Sequence, residues 1–359
     1  MSPRGATVEF RDVSKRYGRD GSAPAVDALS FTVPAGEICV LVGPSGCGKT
    51  TSLKMVNRLI EPTSGAIVID GRDVTREDPV LLRRGIGYVI QQVGLFPHQT
   101  IGENVATVPR LLRWPEQRIR ERVDELIALV GLDPARHRER YPAQLSGGER
   151  QRVGVARALA AEPAVMLMDE PFGAVDPIVR ERLQDEFIRL HRSLGTTVLF
   201  VTHDVDEAIK VGDRVAVMRA GRLVQYAPPA ELLEHPADEF VARFVGADRG
   251  LKRLSLVPVS ELRLHDADTV RQGEAIATGA GHVLVLDAQR RPVGWVDRAR
   301  PELGADASSP VFVRDARVRD VLSALLASSV AVAIVVDEGG TYLGTVSLAD
   351  ITGLLAERR

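Results

Sequence analysis

A glycine-rich segment at residues 43–50 constrains this chain more than any other feature. It reads GPSGCGKT, follows the apolar run ICVLV and leads into a stretch with helical spacing. Glycines let successive backbone N–H groups turn toward one anion, and the N-terminus of a helix adds partial positive charge. The order of strand, loop, Lys49 and Thr50 therefore predicts a phosphate-binding loop inside an α/β fold.

Each position of this loop has a predicted role. Lys49 can reach the β- and γ-phosphates of a nucleotide, and the Thr50 hydroxyl can bind magnesium. A thiol at a helix N-terminus tends to have a lowered pKa, so Cys47 is either redox-sensitive or a small space-filling residue. The predicted phosphate-binding set is Gly43, Pro44, Ser45, Gly46, Cys47, Gly48, Lys49, Thr50 and Thr51.

A second motif, AVMLMDEP, lies about 120 residues further along the chain. Its apolar residues predict a buried strand that ends in Asp169 and Glu170. Asp169 is suited to contact magnesium directly or through water. Glu170 is suited to polarise a water that attacks the γ-phosphate.

The composition limits the classes of function. Basic residues number 46 and acidic residues 48, for a net charge of −2, which argues against a nucleic-acid binder driven by bulk charge. Two cysteines and an N-terminus without an apolar core favour a cytosolic protein without a disulfide framework or signal peptide. The longest uncharged run, Val321 to Val336, is shorter than the ~20 residues of a membrane helix. Strands that alternate with helices predict a mostly parallel sheet.

The segment LSGGERQRV, from Leu145 to Val153, carries a family resemblance. Ser146 is a favourable N-cap, and the two glycines after it leave backbone N–H groups bare at a helix start. The segment resembles the signature of the ATP-binding-cassette ATPases. The resemblance implies that residues 1–246 form one ABC-type nucleotide-binding domain, with a RecA-like P-loop core and a helical subdomain.

The resemblance also implies a head-to-tail dimer in which the signature of one subunit closes over the ATP held by the other. Further roles carry over by position: Tyr17 stacks on adenine, Gln91 links magnesium and the attacking water to the membrane partner, Asp176 couples the two sites, and His203 contacts the γ-phosphate. The implied sets are catalytic Glu170, His203 and Gln91, magnesium-binding Thr50, Gln91 and Asp169, and signature Ser146, Gly147, Gly148 and Glu149.

The chain departs from the commonest family pattern in two places. The signature ends in Glu149 where glutamine is more usual. The loop after Glu170 has Gly173 and Val175 where serine and leucine are more usual. Both departures leave the phosphate-facing groups in place.

The C-terminal part contains an internal repeat. VLVLDAQRRPVGWV and AIVVDEGGTYLGTV lie 50 residues apart, and each predicts a strand, a turn and a second strand. The pair resembles cystathionine-β-synthase-type (CBS) modules, which implies a linker at 247–253 and two small α+β modules at 254–304 and 305–359, the first degenerate. Gly344, Ser347 and Asp350 match the ribose-binding pattern of such modules, and the first copy has lost it. An adenine nucleotide or cyclic dinucleotide site around Ser347 and Asp350 and a purely structural, dimerising pair both remain open.

Two further stretches, MVNRLIEPTSG and GYVIQQVGLFPH, closely resemble importer subunits for glycine betaine, choline, carnitine and related osmolytes. The resemblance implies a peripheral ATPase on the cytoplasmic face of the cell membrane, with ATP and Mg²⁺ as cofactors. Its implied partners are a second copy, membrane permease subunits and an extracytoplasmic binding protein or domain, and no nucleic acid. Alternatives are an importer of another small solute, such as a betaine-like thiol compound or an amino acid, and a soluble non-transport ABC ATPase.

Overall fold

The computed structural model describes residues 5–18, 23–90, 94–173, 175–306, 311–313, 316–327 and 332–357. The chain divides into two compact units, residues 1–245 and 246–359. No helix in the described part of the chain is long and apolar enough to cross a membrane.

The first unit contains ten strands and ten helices in its described residues. Its elements are β1 (Val8–Lys15), β2 (Val26–Val33), β3 (Ile38–Val42), α1 (Lys49–Val56), β4 (Ser64–Ile69), β5 (Arg72–Asp73), α2 (Pro79–Arg84), β6 (Ile86–Val89), α3 (Ile101–Leu111), α4 (Glu116–Leu129), α5 (Pro134–His137), α6 (Gly147–Leu159), β7 (Val165–Asp169), α7 (Pro177–Leu194), β8 (Thr197–Val201), α8 (Val205–Val211), β9 (Arg214–Arg219), β10 (Arg222–Ala227), α9 (Pro229–Glu234) and α10 (Glu239–Val245).

A six-stranded sheet with the order β10-β9-β3-β8-β7-β6 forms the centre of this unit. Its strands from β9 to β6 are parallel, and β10 pairs antiparallel with β9. Every residue of β3, β7 and β8 is buried, as expected for strands covered on both faces. The predicted parallel α/β core is therefore confirmed.

A second, antiparallel sheet with the order β2-β1-β4-β5 packs on the first. Apolar residues alternate along β1 and β2, and the rings of Phe10 and Phe31 stack with centroids 4.6 Å apart. Leu53 and Met55 of α1 are fully buried in the same core, which includes residues of both sheets. This packing holds α1 beneath the phosphate-binding loop.

The predicted helix after that loop is shorter than expected. The sequence pattern extends from Lys49 to Ile60, whereas α1 ends at Val56. Asn57 forms the C-cap, and Arg58 adopts a positive φ of 53°, which is incompatible with a continuing helix.

Helices α3 to α6 form a helical part between β6 and β7. As the apolar spacing predicts, Ile119, Val123, Leu126 and Ile127 of α4 are buried. Asn104, fully buried on α3, accepts from the Phe96 N–H and donates to the carbonyls of Phe96, Gln99 and Thr100. These hydrogen bonds fix the chain where it enters the helical part.

The second unit repeats one pattern. Its elements are α11 (Arg249–Leu254), β11 (Thr269–Arg271), β12 (His282–Leu286), β13 (Pro292–Asp297), β14 (Val311–Val313), α12 (Val318–Ala327), β15 (Val332–Val336), β16 (Tyr342–Ser347) and α13 (Leu348–Glu357). Strand β12 pairs with β13 in the register that β15 has with β16, shifted by 50 residues. The two copies predicted from the sequence thus have the same strand pairing.

The copies differ in their helices. Thr269 pairs with Leu284 in the first copy and Val311 with Ile334 in the second, so the paired residues are 15 positions apart in one copy and 23 in the other. The longer connection contains α12, and no helix stands between β11 and β12. The two copies therefore share their hairpin but not the helix that precedes it in the second copy.

The start of the second unit differs from the division expected from the sequence. Most of residues 247–253 belongs to α11 rather than to an extended linker. Leu254, Val257 and Val259 then pack into the core of the second copy, against residues such as Val335 and Ile351. A segment that precedes the first copy in the sequence therefore completes the core of the second copy.

Candidate active site for nucleotide hydrolysis

The loop between β3 and α1 is shaped by its glycines. Gly43, Gly46 and Gly48 have φ values of 154°, 78° and 103°. A Cβ atom at Gly43 would lie 2.2 Å from the Met218 carbonyl oxygen, and one at Gly48 would lie 2.4 Å from that of Ala25. Both positions therefore require glycine for conformation and for space.

Lys49 is the buried cation of this loop. Its side chain bends back so that Nζ donates to the carbonyl oxygens of Gly43 at 2.7 Å and Pro44 at 3.2 Å. The ammonium group thus lies inside the curve formed by the loop, at the N-terminus of α1. A phosphate held there would be close to both the cation and the helix dipole.

Cys47 does not have the exposure or the lowered pKa of a reactive thiol. Its side chain is buried, and burial raises its pKa even though Lys49 Nζ lies 3.8 Å from Sγ. The thiol is therefore protonated at neutral pH and fills space behind Gly43. This observation favours the space-filling interpretation over the redox one.

Asp169 and Glu170 lie where β7 ends. Thr50 Oγ1 donates to Asp169 Oδ1 at 3.0 Å, which joins residues 119 positions apart. Burial raises the pKa of Asp169, and the Thr50 hydrogen bond and the nearby Lys54 act against that effect. A carboxylate and a hydroxyl at this position suit a hard divalent cation that also keeps phosphate and water ligands.

His203 stands beside Glu170 at the same edge of the sheet. It follows β8, the neighbour of β7, and its Nδ1 lies 3.3 Å from Glu170 Oε1. Glu170 has a positive φ of 47°, and its N–H donates to the Val201 carbonyl oxygen. The carboxyl ends of parallel strands meet at one edge, so two residues distant in sequence become one acid–imidazole pair.

The loop after Glu170 carries one departure from the family pattern. A Cβ atom at Gly173 would lie 3.5 Å from Glu170 Oε2, an ordinary van der Waals contact, so space beside the carboxylate does not require glycine there. Asp176 immediately precedes α7, and its carbonyl oxygen accepts the Arg180 N–H at 2.8 Å. Glu170 and Asp176 therefore sit at the two ends of one short loop.

The signature segment begins α6. Ser146 Oγ accepts the Glu149 N–H, and Glu149 Oε2 accepts the Ser146 N–H at 2.7 Å, which is a capping box. The Ser146 hydrogen bonds lower the pKa of Glu149, and His137 Nε2 lies 3.5 Å from its other oxygen. No heavy atom lies within 4 Å of a Cβ built at Gly147. The space beside Gly147 at this helix start is thus open.

Two predicted site residues remain, Tyr17 and Gln91, and the structure describes only the first of them. Tyr17 is 59% exposed, with Lys15 Nζ 5.3 Å from its ring centroid. Gln91, assigned to catalysis and magnesium, lies outside the described residues.

The sequence analysis missed two residues that position the site. Asp204 caps α8 by accepting the N–H groups of Asp206 and Glu207, and so holds the turn that presents His203. An aspartate directly before a helical pattern is an N-cap signal that was available. His137, which contacts Glu149, had no such signal because the two meet only in the fold.

Ser347 and Asp350 form a separate polar cluster in the second unit. Asp350 Oδ2 accepts the N–H and hydroxyl of Ser347 at 2.8 and 2.7 Å, and His265 Nε2 lies 2.7 Å from Oδ1. Partial burial acts to raise the pKa of Asp350, but the Ser347 hydrogen bonds and His265 outweigh it and lower the pKa. At the corresponding positions of the first copy stand Asp297 and Arg300, which cannot form this pair.

Comparison with known proteins agrees with this geometry. The family model described as ABC transporter matches residues 26–173. An osmoprotectant import ATP-binding protein of Salmonella typhimurium is 46% identical over 98% of this chain and 97% of its own length. The chain belongs to the ATP-binding subunits of ABC transporters. It is accordingly an ATPase with the P-loop fold of that family.

Two more relatives extend the comparison. A glycine betaine/carnitine/choline transport ATP-binding protein of Bacillus subtilis is 43% identical over 97% of this chain and 96% of its own length. A solved dimeric ATP-binding cassette in a post-hydrolysis state, bound to ADP and Pi, is 32% identical with a TM-score of 0.55. The match covers 62% of this chain and 98% of the solved chain. The share of this chain that the solved cassette covers is smaller than the first unit, whereas the import proteins match both units.

Proposed function

We propose that this chain is the ATP-hydrolysing subunit of an importer of quaternary-amine osmolytes such as glycine betaine, choline, carnitine and proline betaine. One observation carries the proposal: the similarity to osmolyte import subunits extends through the C-terminal repeat as well as the ATPase unit. An ATPase unit alone does not touch the cargo, so the match over the whole chain is the more informative feature.

In the proposed reaction the chain positions ATP and a water. Tyr17 stacks on the adenine, the 43–51 loop surrounds the β- and γ-phosphates with N–H groups, and Lys49 exchanges its loop carbonyl partners for phosphate oxygens. Thr50, Asp169 and Gln91 would hold Mg²⁺, which neutralises phosphate charge when bound.

Glu170 orients the attacking water and accepts its proton, while His203 contacts the γ-phosphate. The 3.3 Å contact between His203 Nδ1 and Glu170 Oε1 supports this division, because it holds both groups at the strand ends beside Thr50 and Asp169. Catalysis then rests on positioning and on charge stabilisation.

A second copy of the chain completes each site. The open helix start at Ser146, Gly147 and Gly148 is suited to receive phosphate oxygens from a facing subunit. Asp176 would couple the two sites across that interface. ATP binding would close the dimer, and hydrolysis would reopen it.

The membrane partners are proposed to be permease subunits, with an extracytoplasmic binding protein or domain supplying cargo. A groove of about 240 Å³ lies next to β6 and is lined by Leu59, Arg83, Tyr88 and Val108, among others. Leu59 is half-exposed there, as an apolar anchor for a partner helix would be. Binding at this groove would place the chain at the cytoplasmic face of the membrane as a peripheral subunit.

We further propose that the second unit is a CBS-type pair that regulates the ATPase. Two copies with matching register, joined through a shared core of Leu284, Leu286, Ile334 and Val336, support this assignment. The Ser347–Asp350 cluster is the proposed position for an adenine nucleotide or a cyclic dinucleotide. The competing proposal is a purely structural pair, because His265 already occupies one oxygen of Asp350.

The deciding experiment is uptake of labelled glycine betaine, choline and carnitine by cells that lack this gene, at low and high osmolarity. We expect the deletion to abolish uptake of at least one of them, and the wild-type gene but not Glu170→Gln to restore it. Normal uptake in a strain without redundant importers would overturn the osmolyte assignment. A thiol-containing betaine or an amino acid would then be tested as cargo, while ATPase activity of the purified chain would be unaffected by that outcome.

A further inference from the structure

A groove on the first unit has none of the predicted site residues in its lining, although Gln151 and Arg152 at the end of the signature segment border it. It is lined by the C-terminal end of α4, one face of α6 and one face of α7, and its volume is about 360 Å³. That volume lies in the range of ligand sites for small molecules.

The groove has an aromatic floor. Phe172 and Phe187 are both buried, with ring centroids 6.3 Å apart in an edge-on arrangement, and both also pack on Phe200. Leu183 and Val155 add to the apolar lining. Such a floor favours a planar aromatic group, which stacks on or meets ring edges at these separations.

One wall of the groove carries an incompletely paired cation. Arg152 is largely buried, and its Nε is shielded from solvent with no hydrogen-bond partner among the described residues. Its NH1 reaches Glu186 Oε2 only at 4.0 Å, and Glu186 is paired more closely with Arg182 at 3.0 Å. Arg189 adds a second positive charge to the lining. The partly exposed terminal nitrogens of Arg152, with only the long contact to Glu186, therefore have donor capacity that an anionic group in the groove would satisfy.

The groove also spans two helices that begin at functional motifs. Helix α6 starts directly after Ser146, and α7 starts directly after Asp176. The two helix starts are adjacent, since a Cβ at Gly148 would lie 3.5 Å from Val179 Cγ1. A molecule wedged between α6 and α7 changes the spacing of the signature relative to the Asp176 loop.

We propose that this groove is a binding site for a small aromatic anion, with the ring on Phe172 and Phe187 and the acid on Arg152. Because the site links α6 to α7, its occupant alters the turnover of the ATPase dimer rather than the affinity of the P-loop for nucleotide. The proposal is independent of the transported solute.

The test uses anilinonaphthalenesulfonate, an aromatic sulfonate that fluoresces in apolar surroundings, titrated into the full-length protein with saturating ADP to block the nucleotide site. We expect saturable binding at one site per chain. Arg152→Met, which keeps the apolar length but removes the donors, should weaken binding about tenfold, and Val155→Phe, which fills the groove, should weaken it at least as much. Val108→Phe, a matched substitution in the groove beside β6, is the control and should bind like the wild type.

ATPase kinetics give the second readout. Saturating probe should change kcat at least twofold and leave the KM for ATP nearly constant in the wild type, and should change neither in Arg152→Met. Equal probe binding by all four proteins would overturn the proposal. Release of the probe when a non-hydrolysable ATP analogue closes the dimer would also overturn it, because the groove would then belong to a subunit interface.

Discussion

Replacement of Glu170 by glutamine tests the assignment of the attacking-water carboxylate most directly. The amide has nearly the same shape, so the contact with His203 and the bond from the Glu170 N–H to Val201 can persist. What the substitution removes is the negative charge and the ability to accept a proton. A positioned general base contributes about 10²–10⁴ in rate, so the variant should lose about 3–5 kcal/mol of transition-state stabilisation.

The assay is phosphate release by the purified full-length protein, together with equilibrium binding of ATP. We expect kcat to fall by two to four orders of magnitude. The affinity for ATP should stay within about twofold, because Lys49 and the 43–51 loop are unchanged. Glu121→Gln, on the exposed face of α4, is the matched control and should hydrolyse ATP at the wild-type rate. A Glu170→Gln protein that turned over ATP within threefold of wild type would refute the assignment.

The remaining predictions concern the local physics around the site. Ser146→Ala should lower the free energy of unfolding by about 1 kcal/mol, because the helix loses its cap. Glu149→Gln should lower it by less than about 0.5 kcal/mol, because an amide oxygen still accepts the Ser146 N–H. Denaturant titration measures both changes. Burial lowers the pKa of His191, so the stability of the protein should fall as pH drops below about 6.5, where the unfolded state binds the proton more readily. His191→Gln should make the melting temperature depend less on pH between pH 7.5 and about pH 5.5. An equally steep fall in the variant would contradict the argument. Cys47 should resist alkylation by iodoacetamide at neutral pH until the protein is unfolded, as mapped by peptide mass, and rapid labelling of the native state would show the thiol to be accessible.

The capping box and the phosphate-binding loop illustrate what local sequence can predict. A serine three residues before a glutamate, at the start of a helical pattern, specifies reciprocal hydrogen bonds without any help from distant chain. The glycines of the 43–48 loop are likewise needed for local reasons, because their φ values are positive. The space argument at Gly43, however, depends on Met218, which only the fold brings near.

The second unit shows the limit of the same reasoning. The similarity of two segments 50 residues apart was enough to predict two copies with the same hairpin. It could not predict that Leu254 and Val257 complete the second copy, because that packing joins segments about 80 residues apart. The His265–Asp350 contact, 85 residues apart, is hidden from sequence for the same reason.

The sequence by itself determined the parallel α/β core, the phosphate-binding loop, the acidic strand end and the repeat, since each depends on the order of neighbouring residues and on their periodicity. Only the tertiary structure decided that Thr50 meets Asp169, that His203 meets Glu170, and that an aromatic-floored groove separates α6 from α7. These arrangements arise because parallel strands end at one edge and helices pack across it. Distances between distant residues therefore follow from the packing of whole elements and not from the spacing of residues along the chain.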